Sequence, residues 1–387
     1  MQPFGLYLHF PFCVRKCHYC DFYSIKYRSD IADQFIEALR KEIELYGKKF
    51  GKAALATLYL GGGSPNLIQP SQFLTIMEAL NLAFDLSPLK EFAVELNPGK
   101  IQADLLSQFK QSGVDRLSIG VQSFHDQELQ TLGRIHAVAD IWQVGELVRQ
   151  VGFKHLNADL IYGIPGQTLK SWRSSLEQLL MLPVDHVALY NLSYERGTLL
   201  DEWRQKRVIV SLDPDLEWQM YSLAHDFLKA AGFWHYEISN WAKSGAESRH
   251  NCGYWSGRNY LGLGPAAHSF YNRQRWWNYR SVGKYIQTLS ASYFPTAGQE
   301  QLTKADREVE YIFLGLRTAQ GLAVRQFNNL FLIDFRRLVE RLADKIDSDE
   351  YWIFAGDSFK LTPRGWFVCD AITHQILQLI EDIKHGH

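Results

Sequence analysis

Apolar runs and amphipathic stretches alternate over the first half of the chain. The apolar runs are rich in β-branched and aromatic residues, which predicts six strands at Gly5–Phe10, Leu55–Leu60, Phe92–Leu96, Asp115–Val121, His155–Tyr162 and Asp185–Leu192. The stretches between them carry apolar residues at helical spacing and predict helices near Ser29–Tyr46, Ser71–Phe84, Ala103–Ser112, Asp140–Val151 and Leu169–Met181. Near-continuous apolar strands separated by helices indicate a parallel sheet whose faces are covered. Six such units predict an α/β fold, namely a partial (β/α)6 barrel.

The pattern changes after residue 235. Residues 236–300 are crowded with aromatic side chains and predict a connecting segment. From residue 301 helices dominate, and the predicted elements are helices at Thr303–Arg317, Val324–Leu330, Asp334–Ala343 and Arg364–Ile383 with strands around Tyr351–Phe354 and Ser358–Leu361. The sequence therefore predicts a barrel at 1–235, the connecting segment at 236–300, and a C-terminal helical, winged-helix-like domain at 301–387.

Composition narrows the classes of protein. With 46% hydrophobic and 21% charged residues, the chain of 387 residues has the balance of an ordinary globular protein. No apolar stretch is long enough to cross a bilayer, so we expect no transmembrane segment. The formal net charge is -1, and residues 301–387 carry more acidic than basic side chains. This balance argues against nucleic acid as a partner of the winged-helix-like domain.

Three cysteines, Cys13, Cys17 and Cys20, form a C-x-x-x-C-x-x-C run directly after the first predicted strand. Three thiolates on one short loop can ligate three irons of a cubane 4Fe–4S cluster. No fourth cysteine is near in the sequence, which leaves the fourth iron open for an exogenous ligand. The spacing therefore predicts an iron–sulfur site at which chemistry can take place.

Zinc and disulfides are the alternative interpretations of this loop. Zinc usually has four ligands in paired C-x-x-C motifs, and the two remaining cysteines, Cys252 and Cys369, are distant, although His9 or His18 could complete a site. Five cysteines are sparse and odd in number, and the sequence has no signal-peptide pattern. We therefore favour the iron–sulfur interpretation and expect a reducing, cytoplasmic compartment.

Glycines and polar side chains follow the later predicted strands. The glycine run Gly61–Ser64 lets the backbone approach a ligand closely. Glu95, Gln122 and Asp159 lie in the segments with which the next three strands end, and the guanidinium of Arg134 suits a carboxylate. Taken singly, each of these is more often a surface or loop-bracing residue. Because the carboxyl ends of parallel strands meet at one edge, together they predict a single binding site.

Ordered motifs along the chain resemble those of the radical S-adenosylmethionine proteins related to oxygen-independent coproporphyrinogen III dehydrogenase. They are Y-x-H-F-P-F-C-x-x-x-C-x-Y-C-D-F, G-G-G-S-P, E-x-N-P, S-x-G-V-Q-S-F and D-L-I-Y-G-I-P-G-Q, and the resemblance extends into Tyr236–Ala242 and Leu361–Gly365. It implies a radical-SAM barrel and a cluster whose open iron binds S-adenosylmethionine. Reductive cleavage would then give methionine and a 5′-deoxyadenosyl radical.

The resemblance also implies residue roles. The implied cluster ligands are Cys13, Cys17 and Cys20. The implied S-adenosylmethionine contacts are Tyr7 and Tyr19 beside the cofactor, Gly62, Gly63 and Ser64 at its methionine part, and Glu95, Gln122, Arg134 and Asp159 at its amino, carboxylate and ribose groups. No residue is assigned a catalytic role.

Two departures distinguish the subfamily. The dehydrogenases usually have a further cysteine where this chain has Phe22, and a long segment before the cluster loop, whereas Cys13 here lies close to the N-terminus. The segment His250–Trp255 reads H-N-C-G-Y-W and matches the H-N-x-x-Y-W motif of HemW-type haem chaperones. The chain therefore resembles the haem chaperones more than the dehydrogenases.

The same motif offers types of side chain that ligate haem iron, namely His250, Cys252 and Tyr254. From residue types alone, a hydrogen-bonded loop histidine among core aromatics is the favoured interpretation. The resemblance instead implies haem binding near this segment, with His250 as the first candidate ligand and His268 in reserve.

Two functions in different classes follow. The first is a carrier that binds haem and transfers it to acceptor proteins, respiratory proteins among them, with the cluster and S-adenosylmethionine serving dimerisation, gating or transfer. The resemblance implies a homodimer, and peripheral contact with a membrane would need no spanning segment. The second is an enzyme that oxidatively decarboxylates two propionates of coproporphyrinogen III. The residue Phe22 and the short N-terminal segment favour the carrier.

Overall fold

The computed structural model of the chain describes residues 2–99, 101–346 and 350–385. Its strands, numbered in chain order, are β1 (Phe4–Phe10), β2 (Phe12–Cys13), β3 (Ile25–Lys26), β4 (Leu55–Gly62), β5 (Glu91–Leu96), β6 (Arg116–Gln122), β7 (His155–Tyr162), β8 (His186–Asn191), β9 (Trp234–Glu237), β10 (Asn240–Ala242), β11 (Tyr260–Leu263), β12 (His268–Tyr271), β13 (Gln274–Asn278), β14 (Thr296–Gln301), β15 (Leu322–Ala323), β16 (Trp352–Ala355) and β17 (Ser358–Leu361).

The α-helices are α1 (Ser29–Phe50), α2 (Pro70–Ala83), α3 (Ala103–Gln111), α4 (Asp126–Thr131), α5 (Val138–Val151), α6 (Leu169–Leu179), α7 (Leu199–Gln205), α8 (Pro214–Ala230), α9 (Arg249–Trp255), α10 (Val282–Ser290), α11 (Lys304–Leu316), α12 (Val324–Phe331), α13 (Phe335–Ala343), α14 (Pro363–Phe367) and α15 (Cys369–His385). None of these helices is long and apolar enough to cross a bilayer.

Six parallel strands form the centre of a 12-stranded sheet. Strands β1, β4, β5, β6, β7 and β8 lie side by side in chain order, and helices connect each strand to the next. The six strands predicted from the sequence are all present, with ends within two residues of the prediction, and the predicted α/β fold is confirmed. This strand order is the one that a partial (β/α)6 barrel requires, and the barrel itself stays our prediction for how the sheet curves.

The aromatic-rich segment adds strands to both edges of this sheet. Strands β9 and β10 pair antiparallel beyond β8, while β11 pairs parallel with β1 and continues into the antiparallel strands β12 to β14. The segment at 236–300, predicted as a connection, therefore contributes strands to the sheet. Its aromatic residues Trp241 and Trp276 are buried, so part of the crowding is core.

Helix α1 illustrates how a helix covers the sheet. Its apolar residues Phe35, Leu39 and Ile43 recur at helical spacing and are buried, and the helix ends at Gly51, whose φ of 64° is left-handed. The buried Glu42 of the same helix accepts a hydrogen bond from the Tyr285 hydroxyl at 2.6 Å. Burial raises the pKa of Glu42 to about 7. This hydrogen bond connects α1 to α10, which belongs to the aromatic-rich segment.

The C-terminal region has its own apolar core, formed by α11 to α15 and the three-stranded sheet β15–β17–β16. The sequence predicted one final helix, but two helices are present, with a break at Val368, whose φ of -114° and ψ of 25° are not helical. The Phe367 ring packs edge-on against Trp218 at 5.3 Å, which joins this region to α8. The winged-helix assignment stays a prediction.

Candidate cofactor site

The cysteine loop folds over the carboxyl edge of the parallel strands. The backbone N–H of His18 donates to the Leu132 carbonyl at 3.0 Å, and Arg15 donates to the Gly133 carbonyl at 2.9 Å. These contacts fix the loop to the segment that follows α4. Cys13, Cys17 and Cys20 all line one cleft of about 390 Å³ at this edge.

The three thiols lie on one loop and line one cleft. A cubane cluster would take each of them on a different iron. Among the described residues, no group of three or more His, Cys, Asp and Glu side chains is arranged to hold one metal ion. Burial raises the pKa of Cys13, and raises that of Cys20 to about 11. Binding of iron would therefore displace thiol protons.

The glycine run packs against the cysteine loop. The N–H of Gly63 donates to the Phe10 carbonyl at 2.8 Å, and the N–H of Ser64 donates to that of Phe12 at 2.8 Å. A Cβ on Gly63 would lie 2.4 Å from the Phe12 carbonyl oxygen, which no side chain tolerates. Glycine is thus required here by close approach of the backbone to the loop. Gly62, Gly63 and Ser64 also line the cleft.

Glu95 and Asp159 bring two carboxyls to the cleft. Glu95 accepts hydrogen bonds from the Tyr59 hydroxyl at 2.8 Å and the Gly62 N–H at 2.9 Å. Asp159 accepts one from the Asn157 amide at 2.6 Å. Burial raises the pKa of Glu95, and raises that of Asp159 to about 7. Both carboxyls retain oxygen lone pairs for hydroxyl or ammonium donors.

Arg134 supplies the cation of the site. Its guanidinium donates to the Cys17 sulfur at 3.4 Å and to the Gly120 carbonyl at 2.9 Å, and also to the side-chain oxygen of Asn97. Its Nε is buried and has no hydrogen-bond partner among the described residues. A buried donor without a partner marks a place for an acceptor that binds there.

Gln122 and Tyr19 complete the predicted set in this cleft, whereas Tyr7 lies elsewhere. Gln122 has a left-handed φ of 68° at the end of β6, a conformation that non-glycine residues rarely adopt. The hydroxyl of Tyr7 is 2.9 Å from the Nδ1 atom of His9, and its side chain lines a second, aromatic cleft. Tyr7 thus lies outside the cleft of the cysteines, although Gly62 and Glu95, two other predicted contacts of S-adenosylmethionine, line both clefts.

His250 is buried behind the second cleft. Its side chain is 3% exposed, with Nδ1 2.9 Å from the Thr57 hydroxyl and Nε2 2.8 Å from the Tyr254 hydroxyl. Burial lowers the pKa of His250 to about 3, and the charge of Arg258 acts in the same direction. The imidazole is therefore neutral, and both of its nitrogens have partners within the protein.

Glu91 and Arg116 hold the N-terminus of α9, the helix that carries the H-N-x-x-Y-W motif. The Glu91 carboxylate forms a 3.0 Å ion pair with Arg116, and both side chains are buried. It also accepts hydrogen bonds from the backbone N–H groups of Arg249 and His250 at 3.0 and 2.9 Å. A carboxylate at this end of a helix satisfies N–H groups that otherwise have no partner.

Asn97 and Tyr190 are among the lining residues of the cleft that were not predicted as site residues. Asn97 donates to the Ser64 hydroxyl at 2.8 Å while it accepts from Arg134, so it connects the glycine run to the guanidinium. Tyr190 lines the cleft from the last parallel strand. Both follow the rule that strand ends supply the site, and this rule could have identified them.

A pH-dependent stability should follow from Asp159. The folded protein keeps this carboxyl protonated up to about pH 7, whereas an unfolded chain ionises it near about pH 3.9. As the pH rises between these values, the unfolded state loses its proton first, so stability falls. Asparagine cannot ionise. We expect wild type to lose about 2 kcal/mol more than Asp159→Asn from about pH 4 to pH 7, since water in the cleft screens part of the burial penalty.

Urea unfolding of the cluster-free protein across this pH range measures the difference. Other buried carboxyls titrate in both proteins. The prediction therefore concerns the difference in the free energy of unfolding between wild type and Asp159→Asn. Asp226→Asn, at an exposed position on α8, is the matched control and should follow wild type. Parallel profiles for wild type and Asp159→Asn would contradict the prediction.

Comparison with known proteins defines the class. Residues 7–179 match the Radical SAM superfamily, and residues 302–368 match the HemN C-terminal domain. The solved structure of coproporphyrinogen III oxidase (HemN) from Escherichia coli has a TM-score of 0.83 at 22% identity, covering 97% of this chain and 90% of that chain. The chain therefore contains a radical SAM domain and has the fold that HemN has.

Relatives in sequence identify the family. "Heme chaperone HemW" of Mycobacterium tuberculosis (strain ATCC 25618 / H37Rv) is 34% identical over 380 residues, 97% of this chain and 95% of the relative. That of Lactococcus lactis is 35% identical over 384 residues, 99% of each chain. That of Bacillus subtilis is 37% identical over 322 residues, 83% of this chain and 85% of the relative. The chain belongs to the HemW family, which confirms the resemblance drawn from its motifs.

Proposed function

We propose that this protein is a haem chaperone that binds haem and passes it to acceptor proteins, respiratory proteins among them. One observation carries the proposal. Helix α9, with the H-N-x-x-Y-W motif, contributes Tyr254 to the aromatic cleft. This cleft shares Phe22, Gly62 and Glu95 with the cleft that the three cysteines of the loop line, which we call the cysteine cleft. A ligand in the aromatic cleft would thus lie beside whatever the cysteine cleft holds. The homodimer and the peripheral contact with a membrane are further expectations of this proposal.

The cysteine cleft is proposed to hold a 4Fe–4S cluster on Cys13, Cys17 and Cys20 together with S-adenosylmethionine. When bound, these groups supply one-electron chemistry. The free Nε of Arg134 is placed to donate to a carboxylate. Glu95 offers an acceptor for a hydroxyl or ammonium group. The chain's part is to bind and orient the cofactor through these side chains.

The aromatic cleft is proposed to hold the haem. Its volume of about 710 Å³ lies within the usual range for small-molecule sites, about 300–1,000 Å³. The side chains of Tyr254, Tyr260, Phe270 and Phe313 line it and offer apolar faces to a flat ring. Such walls remove a porphyrin from water without a covalent bond.

Two histidines compete as ligands of the haem iron. His250 is the predicted one, and its Nε2 is separated from the cleft by the hydroxyl of Tyr254, so rotation of Tyr254 would open it. His268 lines the cleft, and neither of its ring nitrogens has a hydrogen-bond partner in the part of the chain that is described. We retain His250 as the ligand, with Tyr254 as its cover, and treat His268 as the comparison.

An anaerobic titration of the cluster-loaded protein with haem, followed at the Soret band, tests this function. We expect saturation at one haem per chain. His250→Ala should shift the Soret band and weaken binding by at least about tenfold, since even the loss of an outer partner of a metal ligand has that effect. His268→Ala and the exposed control His374→Ala should retain the wild-type spectrum.

Two outcomes would contradict the proposal. Weak, non-saturating binding of haem by the wild-type protein would rule out the proposed function as a haem carrier. Formation of protoporphyrinogen from coproporphyrinogen III, with S-adenosylmethionine and a reductant, would establish the decarboxylating enzyme in its place. Phe22 stands where the dehydrogenases carry a further cysteine, so we expect no turnover.

A further inference from the structure

A third cleft adjoins the aromatic cleft on the other side of α9. It has a volume of about 750 Å³ and shares Arg258, Phe270 and Glu310 with the aromatic cleft. Helix α9 contributes Tyr254 to one cleft and Trp255 to the other. A ligand larger than either cleft can therefore extend past the end of this helix, at Arg258.

Three arginines without counterions line the third cleft. Arg258, Arg273 and Arg307 form no ion pair and no side-chain hydrogen bond with any residue in the ranges that the structure describes. Arg275, by contrast, pairs with both Glu300 and Glu310. Guanidinium groups bind carboxylates through paired hydrogen bonds, and a cleft lined by several of them attracts anions.

Carboxyls that line the same cleft do not neutralise these arginines. Glu310 shares Arg275 with Glu300, so these three side chains together keep one negative charge, against three arginines without a counterion. Glu237 is 1% exposed and accepts a hydrogen bond from Asn240, and burial raises its pKa to about 7. Among the residues that the structure describes, Glu247 is the one remaining carboxyl that lines the cleft. The third cleft therefore keeps an excess of positive charge beside the aromatic walls.

We propose that the third cleft binds the two propionates of the haem whose ring lies in the aromatic cleft. Arg258 would meet the first propionate where the two clefts join, and Arg273 and Arg307 would meet the second. The inference rests on the proposed binding of haem and adds how the protein recognises it. Haem carries its two carboxylates on one edge of an apolar ring. Both clefts have aromatic walls, and Arg258, Arg273 and Arg307 all line the third cleft, with Arg258 where the two clefts meet.

The test compares haem with its dimethyl ester, which has the same ring and iron but uncharged propionates. Both are titrated into the cluster-loaded protein at the Soret band. We expect wild type to bind haem more tightly than the ester by about tenfold or more, the effect of one or two hydrogen bonds to a charged group. A triple variant with Arg258, Arg273 and Arg307 changed to glutamine should bind haem and the ester with equal affinity.

The control changes three exposed arginines outside both clefts, Arg28, Arg149 and Arg173, to glutamine and so removes the same charge. It should keep the wild-type preference. Equal affinity of wild type for the two ligands, or a triple cleft variant that still prefers haem, would overturn the propionate site while leaving haem binding intact. Failure of wild type to bind either ligand would remove the proposed function itself.

Discussion

Replacing Cys17 with alanine is expected to leave the protein without its iron–sulfur cluster. The three thiols that line the cleft are the only cysteine ligands near that edge in the described part of the chain, so the variant offers two. A cubane cluster on two thiolates has two irons without protein ligands and is not retained. After anaerobic reconstitution, we expect iron and sulfide per chain to fall to background, with loss of the cluster absorbance. Cys13→Ala and Cys20→Ala should behave alike.

Two other cysteines provide the controls. Cys252→Ala and Cys369→Ala remove thiols outside the cysteine cleft, and both should retain the full iron content. Cys369 is buried in the C-terminal core, so its variant also tests whether a loss of stability alone releases iron. Full iron content in Cys17→Ala would contradict the assignment of the loop. Loss of iron in Cys369→Ala would show that iron content follows the stability of the fold. Loss of iron in Cys17→Ala would then no longer identify a ligand.

The parallel strands and the cysteine loop were predictable because each is encoded locally. A buried parallel strand is a continuous apolar run, and its ends are marked by turn residues, so β7 was placed at His155–Tyr162 without error. The three cysteines lie on one short loop, and their spacing needs no tertiary information. Chain order then brings the strand ends to one edge, which is why Glu95, Gln122 and Asp159 share a cleft.

The strands added by the aromatic-rich segment were not predictable in the same way. Strands β9 to β14 have three to six residues each, too short for a clear periodicity. Their pairing depends on partners that are distant in sequence, since β11 pairs with β1, which lies near the start of the chain. A local pattern cannot reveal such a pairing, and the segment therefore looked like a connection.

The surroundings of His250 show a signal that was present but not used. His250 and Tyr254 are four residues apart, which places them on one face of a helix and within hydrogen-bond reach. Residue types alone favoured a hydrogen-bonded histidine, and the resemblance implied a ligand of haem iron. In the structure, Nε2 of His250 lies 2.8 Å from the hydroxyl of Tyr254. Burial of the imidazole against Thr57 could not have been anticipated, because Thr57 lies on a distant strand.

Replacing Glu91 with leucine should cause the largest loss of stability among single changes near the H-N-x-x-Y-W motif. The variant leaves the buried Arg116 without its ion-pair partner and removes the acceptor of two N–H groups at the start of α9. Breaking a buried ion pair from one side costs about 3–5 kcal/mol, because a charge remains unpaired in the interior. We expect a decrease of that size in the free energy of unfolding, measured with urea by circular dichroism. Glu91→Gln keeps an acceptor oxygen and should lose less.

The exposed pair of Glu146 and Arg149 provides the matched control, since its atoms are 2.8 Å apart but its side chains are 52% and 58% exposed. Glu146→Leu should change stability by no more than about 1 kcal/mol, because water already screens that pair. A loss below about 1 kcal/mol in Glu91→Leu as well would mean that α9 is held by its packing alone. If instead the buried pair carries the expected energy, Glu91→Gln should also weaken haem binding more than Glu146→Leu does, because Glu91 positions the helix on which His250 and Tyr254 lie.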